Sequence, residues 1–531
     1  MWLRMSTPRT GSPPISIARS TRRPVALICT SGTAAANWFP AVIEARESRV
    51  PLLLLSADRP PEMRECSSGQ TIDQLKLFGQ YPRWQMELPV PEADAALFPF
   101  LRQTVIHAWE RCLRFGRGPV HLNLPFRDPL APVEDGSLAG LDQAAVWKTL
   151  DGVREMGGQP ASAGPWLEER ARELAGVKRG VIVAGNECWA DGGEYARSAG
   201  ALARALGWPV LADGLGPLRE HAEAVPYLVH NYEWICGSGR APPSPEWIVR
   251  LGPPPTGKRL RAWLEQTDCP HWLVDDGDRN VDPLHAAGEP LRCDAVSLAR
   301  AVERVLPARR ETDPGESAWT KTWLDAAALG RDRVNAILDG CGFFFEGEIS
   351  RALSRHLPER TPVFVANSMP ARDVEWFWEP GSRRREIFFN RGANGIDGTL
   401  STAAGIARGS ARPAVLLTGD LAFLHDANGL LHASSSSFSL TVVLINNGGG
   451  GIFEHLPIAA FDPPFERFFA TPQRVDFGKL ARAHGIPHQK VTDPAAFRRL
   501  ISELPKSGTR VLEIHTDRKR DAAFRRELAK A

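Results

Sequence analysis

Asp420 and Asn447 are the two residues whose types and spacing point most directly to chemistry. Asp420 stands in Leu416-Leu-Thr-Gly-Asp-Leu-Ala-Phe-Leu-His-Asp426, and Asn447 in Val442-Val-Leu-Ile-Asn-Asn-Gly-Gly-Gly-Gly-Ile-Phe453. Each stretch reads as a buried strand that ends in a polar, glycine-containing loop. In a parallel sheet both loops emerge at the C-terminal edge, where ligands bind. A carboxylate oxygen of Asp420, the amide oxygen of Asn447 and a nearby backbone carbonyl form a set of hard oxygen donors. Such a set suits Mg2+, which also takes phosphate oxygens and water. Gly448–Gly451 let the backbone approach a phosphate with no Cβ in the way. Taken singly, Gly-Asp is an ordinary turn and the glycines an ordinary loop. The information lies in the combination.

The rest of the chain must hold those loops. Its 531 residues suggest three domains, at roughly 150 residues each. Lys and Arg number 64 against 62 Asp and Glu, a net charge of +2, which argues against a nucleic-acid partner. Local Arg clusters that grip small anions remain compatible with that balance. The eight cysteines are scattered with no C-x-x-C pair, so no zinc site or disulfide framework is indicated. Reduced thiols fit a cytoplasmic protein. No apolar run approaches the roughly 20 residues that an integral membrane segment needs. Residues Met1–Arg23 carry five Arg and no acid. A transit peptide shares that composition, but Pro13-Pro14 and the lack of an apolar helical face speak against one.

Strand-like and helix-like segments alternate, the pattern of an α/β protein with parallel sheets flanked by helices. Strands are expected at Val25–Cys29, Leu52–Leu55 and Arg117–Pro125, with a helix over Ala34–Glu47. Further strands are expected at Gly180–Ala184, Trp247–Leu251 and His271–Asp275, with a helix over Tyr195–Leu206. The last group comprises strands at Val363–Ala366, Ala414–Thr418, Thr441–Ile445 and Val511–His515. Its helices are expected at Glu346–His356, Thr399–Ala407 and Asp426–Ser434. Breaks at Arg127–Gly140 and Ala308–Ser317 divide the chain into domains over 1–140, 159–307 and 318–531. Ser434–Ser437 is a short low-complexity run in a loop.

The order strand, Gly-Asp, helix, strand, Asn-Asn-Gly resembles the thiamine-diphosphate motif, which opens with Gly-Asp and closes with Asn about 27 residues on. Cys29-Thr-Ser-Gly-Thr-Ala-Ala-Ala-Asn-Trp-Phe-Pro-Ala-Val-Ile-Glu-Ala45 resembles the pyrimidine-domain segment of the same enzymes. Five more stretches narrow the likeness. They are Ser56-Ala-Asp-Arg-Pro-Pro-Glu62, Gln70-Thr-Ile-Asp-Gln74, Thr256-Gly-Lys-Arg259, Asn367-Ser-Met-Pro-Ala-Arg372 and Asn390-Arg-Gly-Ala-Asn-Gly-Ile-Asp-Gly398. Together they resemble the 2-succinyl-5-enolpyruvyl-6-hydroxy-3-cyclohexene-1-carboxylate synthases of menaquinone biosynthesis, from about Arg19 to the C-terminus.

That resemblance implies three domains of the thiamine-diphosphate-binding fold, with thiamine diphosphate and Mg2+ (or Mn2+) as cofactors. It implies decarboxylation of 2-oxoglutarate and conjugate addition of the remaining four-carbon unit to isochorismate. A homodimer or homotetramer is implied too, because in these enzymes the cofactor lies between the first domain of one subunit and the third of another. Carried over position by position, Asp420, Asn447 and the Gly449 carbonyl match the metal ligands. Ile396 matches the residue that props the cofactor, and Ile452, Phe453 and Leu456 match its apolar pocket. Gln70, Ser368, Arg372 and Arg391 fall on catalytic positions, and Arg59, Lys258 and Arg259 on substrate-binding ones. Arg suits the task, since both substrates carry two carboxylates and Arg binds them bidentately. Each cation alone reads more readily as a solvated surface charge, and each apolar residue equally well as core; the motifs taken together shift that balance.

Two departures from the family stand out. Gly448 and Gly451 replace the Asn and Gln that the family often has there, which leaves the metal set intact. Residues 1–18 do not resemble family sequence, and Thr7 falls opposite the Glu that the family uses to activate the cofactor. No Glu occurs before Glu44. The expectations that follow are an incomplete first sheet and severely reduced activity of the chain as written. A misplaced gene start or a frameshift would account for both. Competing readings are another thiamine-diphosphate 2-keto-acid decarboxylase or synthase, and a truncated, catalytically impaired homologue.

Overall fold

The computed structural model describes residues 2–4, 12–94, 97–114, 116–131, 133–134, 136, 142, 144, 164–186, 191–237, 239, 241–277, 281–284, 288–306, 317–434 and 437–530. Thr7, Cys188, residues 308–316 of the second expected break and residues 435–436 of the serine run lie outside the described residues, as does most of 137–163.

Three sheets form, and every strand pair in them is parallel. The first contains β1 (Trp2–Arg4), β2 (Val25–Cys29), β3 (Leu52–Asp58), β4 (Trp84–Glu87) and β5 (Pro119–Pro125), in the order β1-β2-β3-β5-β4. The second contains β6 (Gly180–Ala184), β7 (Val210–Ala212), β8 (Leu228–Val229), β9 (Trp247–Leu251), β10 (His271–Val274) and β11 (Glu289–Leu291), in the order β11-β10-β9-β6-β7-β8. The third contains β12 (Pro362–Val365), β13 (Glu386–Phe389), β14 (Ala414–Gly419), β15 (Ser439–Asn446), β16 (His488–Lys490) and β17 (Gly508–His515), in the order β13-β12-β14-β15-β17-β16. The strands legible in the sequence are the central ones. With at least every second residue buried, they read as predominantly apolar runs, whereas the short edge strands do not.

At the edge of the first sheet where a gap was expected, Trp2–Arg4 pairs with Ala26–Ile28. The helix expected over Ala34–Glu47 is two helices, Thr33–Ala36 and Phe39–Glu47. Pro40 sits in the first turn of the second, where its missing N–H costs nothing. The helix expected over Asp426–Ser434 is a 3-10 turn, Ala427–Gly429, followed by Leu430–Ala433. Asn428 and Gly429 are weak helix formers and favour the tighter turn.

The chain divides into two compact units. One combines Met1–Gln159 with Asn390–Ser410, and the other combines Pro160–Phe389 with Ala411–Ala531. The first unit therefore owns a loop and helix that leave the third sheet after β13. Within it, helix Thr399–Ser410 packs on helix Ser12–Thr21. Gly409 permits the approach, since a Cβ there would stand 2.2 Å from Ser20 Oγ. Ile17, Leu27, Trp38 and Leu52 centre the core of this unit and are at most 1% exposed.

In the second unit, Arg219 is fully buried and ties β7 to helix Met369–Phe377, which follows β12. Its guanidinium donates to the carbonyls of Ala212 (3.0 Å), His230 (2.6 Å) and Glu375 (2.8 Å) and to Glu375 Oε1 (2.7 Å). A buried Arg is tolerated only when so fully partnered.

Candidate active site

Strands β14 and β15 run in register from Ala414 opposite Leu440 to Gly419 opposite Ile445. The residues that follow them therefore leave the sheet side by side. Asp420 opens helix Asp420–His425 and is 5% exposed. Its Oδ1 accepts from Leu421 N (2.7 Å), and its Oδ2 accepts from Gly448 N (3.0 Å) and Gly449 N (2.9 Å). The carboxylate thus pins the glycine loop that follows β15. Gly449 is obligatory: its φ is +124°, and a Cβ would meet Ala470 O at 2.1 Å.

Asn447 donates its Nδ2 to Glu346 Oε1 at 2.7 Å, while its Oδ1 is buried with no hydrogen-bond partner among the described residues. Burial pushes Asp420 up to about 6, and Glu346 adds to the rise. The N–H groups of Gly449, Leu421 and Gly448 pull it the other way. A buried carboxylate that resists its charge and an orphaned amide oxygen at the tip of the neighbouring strand suit a divalent cation, which would satisfy both. Among the described residues no group of three or more His, Cys, Asp or Glu side chains is placed to hold a metal. The donor set here is one carboxylate with amide and backbone oxygens.

Five residues past Asn447, at Ile452, the chain enters the wall of a cavity of about 620 Å3. Ile452, Phe453 and Leu456 supply apolar lining, and Lys258, Arg259 and Arg372 supply charge. Each cation has a local reason to be there. Helix Lys258–Glu265 lacks a side-chain cap of its own, so Glu233 serves, accepting from Leu260 N (2.8 Å) and Arg259 N (3.3 Å). Gly257 leaves room for that carboxylate, since a Cβ would stand 2.1 Å from Glu233 Oε1. The Arg259 guanidinium lies 5.2 Å from the Trp376 ring centre, and its Nη1 is buried without a hydrogen-bond partner among the described residues. Ser368 holds φ +71° just before helix Met369–Phe377, and its carbonyl accepts from Arg372 Nη1 at 2.7 Å. A non-glycine residue in that region is strained, and such strain concentrates at functional sites.

Sequence reasoning missed three further cavity cations: Lys530 near the C-terminus, and Arg525 and Arg526 on the last helix, Arg518–Leu528. That helix is so rich in Arg that it reads as a solvated face. His455, also on the cavity wall, is pushed down to about 4 by desolvation and then by Arg525, Arg526, Arg372 and Lys258. The wall is strongly cationic.

The remaining candidates belong to the first unit. Arg59 follows β3, and its Nε is buried without a partner among the described residues. Gln70 has φ +60° and donates Nε2 to Thr30 Oγ1 and Ser31 O, both at 2.9 Å. Arg391 and Ile396 lie on the loop that precedes helix Thr399–Ser410. Glu44 clamps that loop, accepting from Gly392 N (3.2 Å) and Ala393 N (2.7 Å), and pairs with Arg19 at 3.5 Å. The structure thus gathers Lys258, Arg259, Arg372, Ile452, Phe453 and Leu456 around one cavity, with Ser368 bonded to Arg372. It joins Asp420 to the Asn447–Gly449 loop, and it carries Arg59, Gln70, Arg391 and Ile396 on the other unit.

Residues 15–77 match the family described as thiamine pyrophosphate enzyme, N-terminal TPP binding domain. Residues 163–365 match the middle domain of thiamine pyrophosphate enzymes, and 376–514 the C-terminal TPP binding domain. The chain is 49% identical over 522 residues to a 2-succinyl-5-enolpyruvyl-6-hydroxy-3-cyclohexene-1-carboxylate synthase of Synechococcus sp. (strain JA-3-3Ab), covering 97% of this chain and 86% of that one. It is 46% identical to the synthase of the same name from Trichormus variabilis, covering 97% and 87%. A solved structure, the thiamine diphosphate-dependent 4-hydroxybenzoylformate decarboxylase of Rhodococcus jostii RHA1, shares the fold with a TM-score of 0.67 at 16% identity, over 96% of this chain and 90% of that one. The chain belongs to the 2-succinyl-5-enolpyruvyl-6-hydroxy-3-cyclohexene-1-carboxylate synthase family, the thiamine-diphosphate-dependent transferases of menaquinone biosynthesis.

Proposed function

We propose that the chain binds thiamine diphosphate through Mg2+ or Mn2+, decarboxylates 2-oxoglutarate and transfers the remaining four-carbon unit to isochorismate. The observation that carries this reading is the cavity with a cationic wall, continuous in sequence with the loop that holds Asp420 and the open Asn447 oxygen. Asp420 Oδ, Asn447 Oδ1 and the Gly449 carbonyl would hold the metal. Ile452, Phe453 and Leu456 would exclude water from the reacting end. When bound, thiamine diphosphate supplies the nucleophilic carbon and the electron sink for decarboxylation and carbon transfer.

Lys258, Arg259 and Arg372 suit substrates that bring two carboxylates each. A guanidinium held over the Trp376 ring is oriented before a carboxylate arrives and loses little entropy on binding it. Gln70, Ser368 and Arg391 complete the proposed catalytic set and Arg59 the substrate set, with Ile396 supporting the cofactor. All five assignments rest on family resemblance.

We also read the protein as cytoplasmic and at least homodimeric. Phe461 and Phe468 of the second unit are 62% and 64% exposed, and Trp109 of the first 42%, which suits surfaces covered by another subunit. Among the described residues no helix is long and apolar enough to cross a membrane.

The test is turnover of the purified chain with thiamine diphosphate and Mg2+, following carbon dioxide release and isochorismate consumption together. Coupled, 2-oxoglutarate-dependent loss of isochorismate is expected. Arg372→Ala should raise the KM for substrate roughly 10–100-fold, the range for one charged hydrogen bond. Equal turnover of pyruvate, or carbon dioxide release indifferent to isochorismate, would overturn the reading.

A further inference from the structure

Glu346 opens helix Glu346–His356 in the second unit and is 2% exposed. It matches none of the motifs singled out in the sequence. Its Oε1 accepts from Asn447 Nδ2 at 2.7 Å and from Thr516 Oγ1 at 3.2 Å, and its Oε2 lies 3.5 Å from Arg525 Nη2. Arg525 in turn pairs with buried Asp373, sits against the Phe345 and Phe377 rings at 4.8 and 5.6 Å, and lines the cavity. The Glu346 carboxylate is therefore held by Thr516 and Arg525 while it holds Asn447.

The consequence for Asn447 is chemical. An amide has one end that donates and one that accepts, and the two have nearly the same shape. A carboxylate can only accept, so the Nδ2 end must face Glu346 and the Oδ1 end must face away. Oδ1 is the atom that is buried without a partner. Gly451 leaves the space this requires, for a Cβ there would stand 2.7 Å from Asn447 Nδ2.

We propose that Glu346 is a positioning residue: it sets the orientation of the Asn447 amide so that oxygen, not nitrogen, is presented to the divalent cation. The inference rests on the metal reading above. Partners that orient metal ligands from behind commonly govern affinity by about 10–100-fold.

The experiment measures Mg2+ affinity by calorimetric titration at saturating thiamine diphosphate, alongside the melting temperature of the cofactor-free chain. Glu346→Met removes the acceptor and should weaken Mg2+ about 10–100-fold. Asn447→Asp sets two carboxylates against each other. It should bind Mg2+ more weakly than the parent, although it adds a negative charge beside the ion. Combining Glu346→Gln with Asn447→Asp restores a donor–acceptor pair at the parental total charge, and affinity should return to within a few-fold. A structural role alone would lower the melting temperature of Glu346→Met and leave the swap without rescue. The inference fails if Glu346→Met binds Mg2+ like the parent. It fails equally if Asn447→Asp binds more tightly and gains nothing from Glu346→Gln. Failure of the parent chain to bind Mg2+ with the cofactor would instead sink the metal reading itself.

Discussion

Two asparagines at the strand tips of two different sheets make the sharpest contrast in this molecule. In the first unit Asn123, on β5, fills all four of its hydrogen-bonding positions. Its Nδ2 donates to Asp58 Oδ2 (2.8 Å) and Glu87 Oε2 (2.9 Å), and its Oδ1 accepts from Ser56 Oγ (2.9 Å) and Gln74 Nε2 (3.0 Å). His121 completes the cluster with its Nε2 2.7 Å from Ser56 Oγ. Because the Ser56 hydroxyl donates to Asn123, the histidine must donate to Ser56. In the second unit Asn447 uses one donor and leaves its acceptor empty, next to a carboxylate whose pKa burial has raised. The closed network is a scaffold: through Gln74, which accepts from Gly32 N at 2.7 Å, it fixes the loops that carry Arg59 and Gln70. The open network is unfinished without a ligand. Polar burial at a strand tip is thus not itself the mark of a site; unmet bonding capacity is.

The largest effect should come from deleting the open side. Asp420→Ala removes the carboxylate and releases the glycine loop, and Mg2+-dependent affinity for thiamine diphosphate should fall more than about 100-fold by calorimetry. Retained affinity would end the distinction drawn between the two asparagines. The stability contrast should run in reverse. Asn123→Ala strands Asp58, Ser56 and Gln74 together and should cost ~2–4 kcal/mol, whereas Asn447→Ala in the cofactor-free chain should cost ~1 kcal/mol. Melting temperatures of the two variants check this, and equal losses would contradict it.

The smallest effect is in pH, where the regions should respond with opposite sign. Burial lowers His121 from 6.5 to about 4, so the neutral ring's contribution is present above 6.5 and is lost as pH falls toward 4. Burial raises Asp420 from 3.8 to about 6, so its contribution is complete below 3.8 and is lost as pH rises through 6. In cofactor-free chain, His121→Gln should flatten the acid limb of the melting-temperature profile, and Asp420→Asn should flatten the limb between pH 4 and 6, each by roughly 2–4 °C. Mg2+ should reverse the Asp420 trend, stabilising more as pH rises, because it needs the carboxylate. Limbs of the same sign would show that the two clusters are electrostatically alike.

Much of this was legible in the residues. The runs Ala414–Gly419 and Ser439–Asn446 announce central parallel strands, and Gly-Asp with Asn-Asn-Gly announces loops at one edge. The Thr256-Gly-Lys-Arg259 and Asn367-to-Arg372 motifs hold their cations on the same cavity wall. Short edge strands such as β8 (Leu228–Val229) and β16 (His488–Lys490) were not legible, since two or three residues carry no period to read. Nor were Glu346, Arg525 and Arg526. Glu346 precedes Asn447 by about a hundred residues, and nothing local to an acid at the start of a helix tells it from an ordinary first-turn charge.

By itself the sequence determined the parallel α/β architecture, the family and the residue types at the strand tips, because apolar periodicity and short motifs are properties of neighbours along the chain. Only the tertiary structure decided which asparagine is saturated and which is open, which glycine must lack a Cβ, and which helix the loop Asn390–Gly398 joins. Those outcomes depend on groups brought together from distant segments, and a hydrogen-bonding capacity is met or left unmet only once every neighbour in space has been counted.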